Sequence, residues 1–237
     1  MLKPFKFKQF SIQQDKTAMK VGTDGVLLGS WVEINSTIFN VLDIGSGTGL
    51  IALMLAQRSN AEVIDAIELN DEAYEQTVEN FENSEWSDRL FCYHASFQEF
   101  VTEIDDKYEL IVSNPPFYTS TYKELSEERA MARHSQSLKY NELLEGTAKL
   151  ISEKGSCAFI IPYTEETNFI DLAMQHKLYL NRITKVKGTV NSPIKRSLMQ
   201  FSFSPNQLEE SELTIELERH NYTQEYIDLV KDFYLKM

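Results

Sequence analysis

Short apolar runs alternate with amphipathic segments from Phe39 onward, and each change of period predicts an element. Phe39–Ile44 is β-rich and stops at Gly45, and Gly49–Arg58 has helical spacing. Val63–Ile67 predicts a second strand, followed by an acidic helix from about Asp71 to Asn83. Leu90–Tyr93 is strand-like and precedes a short helix near Phe97–Thr102. Tyr108–Ser113 predicts a fourth strand that ends abruptly at Asn114-Pro115-Pro116, where proline cannot extend a ladder. The polar stretch Tyr118–Ser137 has no periodicity and is expected to be a mobile loop. Tyr140–Ile151 predicts a helix, Ser156–Ile161 a buried strand stopped by Pro162, and Glu165–Gln175 another helix.

Beyond Gln175 the pattern changes. Tyr179–Val186 and Ser197–Ser204 alternate like paired strands, joined by a basic loop containing Gly188 and Pro193. Leu213–Leu217 predicts a further strand and Thr223–Leu235 a closing helix. Strand–helix alternation ending in a strand pair predicts an α/β fold with a doubly wound, mostly parallel sheet and helices on both faces. Ligands of such sheets bind at the carboxyl ends of the strands, which places the loops after Ile44, Ile67, Tyr93 and Ser113 around one cleft. No repeat, low-complexity tract or linker divides the chain, so a single domain is expected over 1–237. Within it, segment 1–38 precedes a core at 39–162, and 163–237 forms the C-terminal strands and helix.

Composition narrows the setting. A hydrophobic fraction of 42% and a charged fraction of 25% are ordinary for a globular protein, and no apolar run is long enough to span a membrane. Cys92 and Cys157 lack metal-ligand spacing and are too few for a disulfide framework, so they are expected in the core of a cytoplasmic protein without a metal. The net charge of −13 is unevenly spread: +3 over 1–30, −16 over 31–128, +5 over 129–200 and −5 over 201–237. Between Asp171 and Glu209 there is no acidic residue, while Lys177, Arg182, Lys185, Lys187, Lys195 and Arg196 fall there. A basic surface is therefore compatible with an acidic chain, although two ordinary solvated faces would give the same counts.

The run Val41-Leu42-Asp43-Ile44-Gly45-Ser46-Gly47-Thr48-Gly49 closes the first strand and opens a helix. Gly45, Gly47 and Gly49 let the backbone turn tightly and approach a ligand. The spacing is not the G-x-G-x-x-G of a dinucleotide pyrophosphate, and Asp43 would repel one. A carboxylate there suits a cationic ammonium or sulfonium. Glu68 ends the second strand, where an acceptor-only carboxylate can take both hydroxyls of a ribose. In order and spacing, residues 39–162 resemble the S-adenosylmethionine site of class I methyltransferases. That resemblance implies S-adenosyl-L-methionine as cofactor and a Rossmann-like, seven-stranded, mostly parallel sheet. Ala95-Ser96-Phe97 occupies the place where that family often has an acidic residue bonding the adenine amine, so Ser96 and Phe97 are expected at the adenine.

Asn114-Pro115-Pro116-Phe117 follows the fourth strand directly. An amine attacking a methyl sulfonium needs its lone pair freed and aimed along the carbon–sulfur bond. The Asn114 amide oxygen and the Pro115 carbonyl can accept its hydrogens and stabilise the charge that develops on nitrogen. The prolines, Pro116 included, hold those acceptors without reorganisation, and Phe117 offers a face for a flat substrate. No strong general base is needed. The motif resembles that of adenine-amine, guanine-amine and protein-glutamine methyltransferases.

The N-terminal run Met19-Lys20-Val21-Gly22-Thr23-Asp24-Gly25-Val26-Leu27-Leu28-Gly29 has glycines that suggest close approach to something, or else a helix capping the sheet. With Phe7-Lys8-Gln9-Phe10, Leu53-Met54-Leu55-Ala56-Gln57-Arg58 and the terminal Phe233-Tyr234-Leu235, it makes the chain resemble the bacterial tRNA(Val) adenine-N6 methyltransferases. That likeness implies that Lys20, Thr23 and Asp24 close over the cofactor and that Phe117 stacks a flipped adenine. It implies the adenosine immediately 3′ of the anticodon as target. An unpaired anticodon-loop base is cheap to extrude. Phosphates are expected to meet Lys187, Lys195 and Arg196 with Arg129, Arg133 and His134 of the polar loop, and bases to meet Pro116, Tyr118 and Tyr122. Three other readings stay open: a guanine-N2 methylator of ribosomal RNA, a protein-glutamine methylator and a catalytically silent binding module. A peptide would not need the basic stretch. A monomer is expected.

Overall fold

In the computed structural model, which describes residues 3–116 and 139–237, the chain opens with a two-stranded ribbon, β1 (Phe5–Lys6) and β2 (Ser11–Ile12), and helix α1 (Thr23–Trp31). The core follows as β3 (Asn40–Ile44), α2 (Leu50–Arg58), β4 (Val63–Glu68), α3 (Asp71–Glu82), β5 (Leu90–His94), α4 (Phe97–Glu103) and β6 (Tyr108–Ser113). After the polar segment come α5 (Tyr140–Leu150), β7 (Ile151–Pro162), α6 (Glu166–Gln175), β8 (Tyr179–Thr189), β9 (Ile194–Ser202), β10 (Glu209–Glu218), β11 (Asn221–Tyr222) and α7 (Gln224–Val230).

The main sheet runs β11-β10-β8-β9-β7-β6-β3-β4-β5. From β5 to β7 every pairing is parallel, whereas β9 is antiparallel to both neighbours. The expected doubly wound α/β arrangement is present, with nine strands in this sheet among the described residues where seven were expected. The extra two lie at one edge, because the acidic stretch from Glu209 runs parallel to β8 and β11 folds back on it. The order turns back between β3 and β6, so the loops after β3 and β6 flank one crevice.

Two apolar layers sandwich the sheet. One packs α1, α2, α3 and α7 with Phe7, Phe10, Val41, Ile64 and Val112; the other packs α4, α5 and α6 with Leu42, Tyr108, Ile111, Phe159 and Phe201. The central strands are buried on both faces and so read as continuous apolar runs. The N-terminal glycines have a packing role. A Cβ on Gly29 would lie 2.8 Å from the Met54 sulfur, and one on Gly25 would lie 3.1 Å from Leu50 Cδ2. Their close approach is to α2 rather than to a ligand, which is the capping-helix alternative realised.

Candidate active site

The loop after β3 is built by backbone geometry that only glycine adopts cheaply. Gly45, Gly47 and Gly49 have φ of 74°, 61° and 75°. The loop crosses the end of β4, where the Gly45 and Ser46 N–H groups donate to Ile67 O at 2.9 and 3.0 Å. A Cβ on Gly45 or Gly47 would meet nothing within 4 Å, so the loop lines open space there. Gly49 is doubly constrained, since its Cβ would stand 2.6 Å from a Phe81 ring carbon.

Glu68, at the end of β4, accepts the Gly47 N–H at 2.9 Å through Oε2 and the Asn70 N–H at 2.9 Å through Oε1. Each oxygen keeps a further lone pair. Asp43, expected to suit a cationic group, is wholly buried beneath the loop, where Oδ2 accepts the Ala52 N–H of α2 at 3.2 Å and Oδ1 has no partner among the described residues. Burial pushes its carboxyl up to about 7, the Ala52 N–H pulling the other way and Glu68 adding to the rise.

Two residues of α3 that sequence reasoning missed, Thr77 and Asn80, hold this loop from the side, and Asn80 and Gln76 hold the N-terminal strap of residues 13–24. Thr77 donates to Gly47 O at 3.1 Å, and Asn80 Nδ2 donates to Thr48 O at 2.8 Å. Asn80 also exchanges two hydrogen bonds with the Gln13 backbone, at 2.8 and 2.9 Å. Gln76 accepts the Lys16 N–H at 3.0 Å, and Lys16 Nζ pairs with Glu75 and Glu79 at 3.1 and 2.6 Å. The legible signal was a run of uncharged polar residues interrupting the acidic helix at a spacing that shares one face.

The same strap carries Lys20, Thr23 and Asp24. Lys20 Nζ donates to the Gln14 and Thr17 carbonyls at 2.5 and 2.6 Å, closing a turn of its own segment. Thr23 is exposed at the start of α1, and Asp24 forms an ion pair with Arg196 at 2.8 Å. The structure thus gives Lys20 and Asp24 partners within the chain.

Across the crevice, Ser113 is buried and donates to Ile44 O at 2.8 Å, which binds the end of β6 to the end of β3. Asn114 follows half-buried, its Oδ1 inaccessible and without a hydrogen-bond partner among the described residues. Pro115 is buried and Pro116 exposed. Phe117, Tyr118, Tyr122, Arg129, Arg133 and His134 lie outside the described residues.

After β5 the two residues expected at the adenine have partners within the chain. Ser96 caps α4: its hydroxyl accepts the Glu99 N–H at 3.2 Å and donates to Glu99 Oε2 at 2.7 Å in a capping box. Phe97 is buried, its ring so close to Gly146 that a Cβ there would lie 2.4 Å away. Both side chains have structural work, because a helix start needs a cap and its first apolar residue faces α5. Leu69, which follows Glu68 and is 50% exposed, is the apolar side chain that sequence reasoning overlooked at this end of the sheet. Its carbonyl is held by His94 Nε2 at 3.1 Å.

The basic stretch also looks different in space. Lys185 pairs with Glu210 at 2.6 Å and Lys187 with Glu212 at 2.7 Å, because β10 lies alongside β8 in parallel register. Arg182 lies over the Trp31 ring, 4.3 Å from its centroid. Two lysines of the basic stretch thus meet two glutamates of the acidic one that follows it. Of the residues expected to hold phosphates, Lys187 and Arg196 are ion-paired and Lys195 is exposed.

Residues 22–147 match the family described as methyltransferase small domain. The chain is 58% identical over 236 residues to the tRNA1(Val) (adenine(37)-N6)-methyltransferase of Christiangramia forsetii, covering 99% of this chain and 98% of that one. To the protein of the same name from Flavobacterium psychrophilum it is 59% identical over 233 residues, covering 98% and 100%. To that of Bacteroides fragilis it is 44% identical over 234 residues, covering 98% of each. Among solved structures, a predicted O-methyltransferase of Agrobacterium tumefaciens aligns with a TM-score of 0.69 at 18% identity, covering 89% of this chain and 96% of that one. A TehB-like SAM-dependent methyltransferase of Corynebacterium glutamicum aligns at 0.51 and 14%, covering 76% and 88%. At those identities the likeness is one of fold.

Proposed function

Since the chain belongs to the methyltransferase small domain family and, within it, to the tRNA1(Val) (adenine(37)-N6)-methyltransferases, we propose that it methylates N6 of adenosine 37 in tRNA(Val), using S-adenosyl-L-methionine. The observation that carries this reading is the buried Oδ1 of Asn114 at the end of β6, which has no partner among the described residues and lies across the crevice from the open glycine loop. A buried acceptor without a donor costs about 1–3 kcal/mol, and an exocyclic amine would supply the donor.

The residues present fit the cofactor. Gly45 and Gly47 leave space where any side chain would intrude, Glu68 has acceptor capacity for ribose hydroxyls, and Asp43 lies below the loop with a second orphaned oxygen. S-adenosylmethionine supplies, when bound, a methyl group on a sulfonium that a nitrogen lone pair can displace. Glu68 binds and orients through its remaining lone pairs. Ionised Asp43 favours positive charge in the crevice through the field of a buried carboxylate rather than by contact. Asn114 Oδ1 and the Pro115 carbonyl accept the two amine hydrogens, which localises the nitrogen lone pair and stabilises the cation forming on it. A nitrogen lone pair attacking that methyl would displace the thioether, and the methylated nitrogen would release one proton to water with no protein base required. The work of the chain is positioning and electrostatics.

Guanine-N2 methylation of ribosomal RNA and glutamine methylation of proteins use similar motifs, and the relatives' names favour neither. The test is incubation with labelled S-adenosylmethionine and bulk tRNA, bulk ribosomal RNA or release factors, followed by nucleoside and amino-acid analysis. Label in N6-methyladenosine of tRNA is the expected result. Label confined to ribosomal guanosine or protein glutamine would overturn the reading. Such an enzyme acts in the cytoplasm, where tRNA is processed.

A further inference from the structure

The ion pair between Asp24 and Arg196 joins residues 172 positions apart, and its placement gives it a role in the site. Asp24 lies in the first turn of α1. The next residue, Gly25, abuts Leu50, which directly follows Gly49 of the glycine loop. Arg196 starts from the opposite wall. In β9 it is level with Pro162 of β7, whereas Ser113 of β6 is level with Phe159 and Met199. Three residues at about 3.3 Å each put Arg196 roughly 10 Å beyond Ser113 toward the carboxyl ends of the strands. That is the level of the rim above Asn114. The pair therefore joins the start of α1 to β9 at the carboxyl-end rim of the sheet.

Both partners are largely withdrawn from water, at 30% and 25% side-chain exposure. Arg196 is further fixed by a hydrogen bond from Nη1 to Lys195 O at 3.0 Å. Upstream, the strap is anchored to α3 through Gln13 and Lys16. Residues 13–24 thus run between two anchors, one on α3 beside the glycine loop and one on β9.

We infer that the Asp24–Arg196 ion pair is a latch that holds the N-terminal strap across the cofactor crevice, and that Arg196 is a positioning residue for the cofactor rather than a contact for RNA phosphate. The inference rests on the crevice being the S-adenosylmethionine site. Asp24 already neutralises the guanidinium, which weakens its attraction for a phosphate. The latch acts on cofactor retention, so its effect is visible in binding without RNA present.

The test is a double-mutant cycle, Asp24→Ala, Arg196→Ala and both together, read by calorimetric binding of S-adenosylhomocysteine to the full chain. Each single change is expected to weaken binding about fivefold, and the double change no more than the weaker single, because a partly buried ion pair is lost only once. Hydrogen exchange over residues 13–24 should quicken in all three variants. Affinity of the cofactor-free protein for an anticodon stem-loop RNA, and its salt slope, should stay unchanged. Arg196→Lys, which keeps the charge but not the Nε geometry, gives an intermediate loss and covers the case of a poorly folded alanine variant. Additive losses, or unchanged cofactor affinity with a salt slope reduced by about one, would overturn the latch and make Arg196 a phosphate contact. Wild-type protein that binds neither S-adenosylhomocysteine nor S-adenosylmethionine would instead overturn the proposed function along with it.

Discussion

Replacing Asp43 with asparagine separates what this carboxylate costs the fold from what it gives the site. The native carboxyl is raised from 3.8 to about 7, so the folded protein keeps a proton that the unfolded chain has already released. Between those values each unit of rising pH then lowers stability by about 1.4 kcal/mol. The contribution is fully favourable below about pH 4 and is lost as pH climbs through 7. Integrated over roughly three units, the buried charge costs about 4 kcal/mol at pH 8. The substituted amide cannot ionise, and its oxygen can still accept the Ala52 N–H. Its new NH₂ donor has no partner in that pocket, a penalty of about 1–3 kcal/mol that is independent of pH. Urea unfolding of the ligand-free protein from pH 5 to 8 isolates the slope. The wild type should lose stability relative to Asp43→Asn over that interval, and S-adenosylmethionine should recover more of it at pH 8 than at pH 5. Parallel profiles for the two proteins would refute the assignment of a raised carboxyl beneath the loop.

Other changes probe the remaining parts. Asn114→Ala should lower turnover by at least about a hundredfold while leaving S-adenosylhomocysteine affinity within about threefold, measured by single-turnover methylation and calorimetry. Gly49→Ala forces a side chain to φ 75° and into the Phe81 ring, so denaturant unfolding should show a loss of at least about 2 kcal/mol. Asn80→Ala strands the Gln13 backbone and Thr48 O. Limited proteolysis should then cut the N-terminal strap faster, with cofactor affinity reduced. Lys187→Ala should leave the salt slope of tRNA binding unchanged, because Glu212 already takes its charge.

The strands and helices from Phe39 to Gln175 were legible because each buries one face or both, and burial writes itself into the spacing of apolar residues. Val63–Ile67 became Val63–Glu68, and Asp71–Asn83 became Asp71–Glu82. The strand β10 was legible only in part, over Leu213–Leu217. Its exposed acidic residues follow the lysines of β8 rather than any apolar period. The glycine turn and the placing of Asp43 and Glu68 at strand ends were legible because they are local in sequence, whereas the burial of Asp43 was not. The roles of Ser96, Arg196 and Asn80 were not, since a hydroxyl that caps a helix looks the same as one that binds a ligand. An ion pair across 172 positions, or an amide gripping a strap 67 residues away, leaves no trace in a periodicity.

The central claim is that Asn114 and its neighbours methylate the amine of one adenosine in tRNA(Val). Two unmodified tRNA(Val) transcripts, one with adenosine at position 37 and one with guanosine there, can be incubated with the protein and labelled S-adenosylmethionine. Stoichiometric label in N6-methyladenosine of the first and none in the second is the predicted outcome. Equal labelling of both, or label in neither while another RNA is modified, would contradict it.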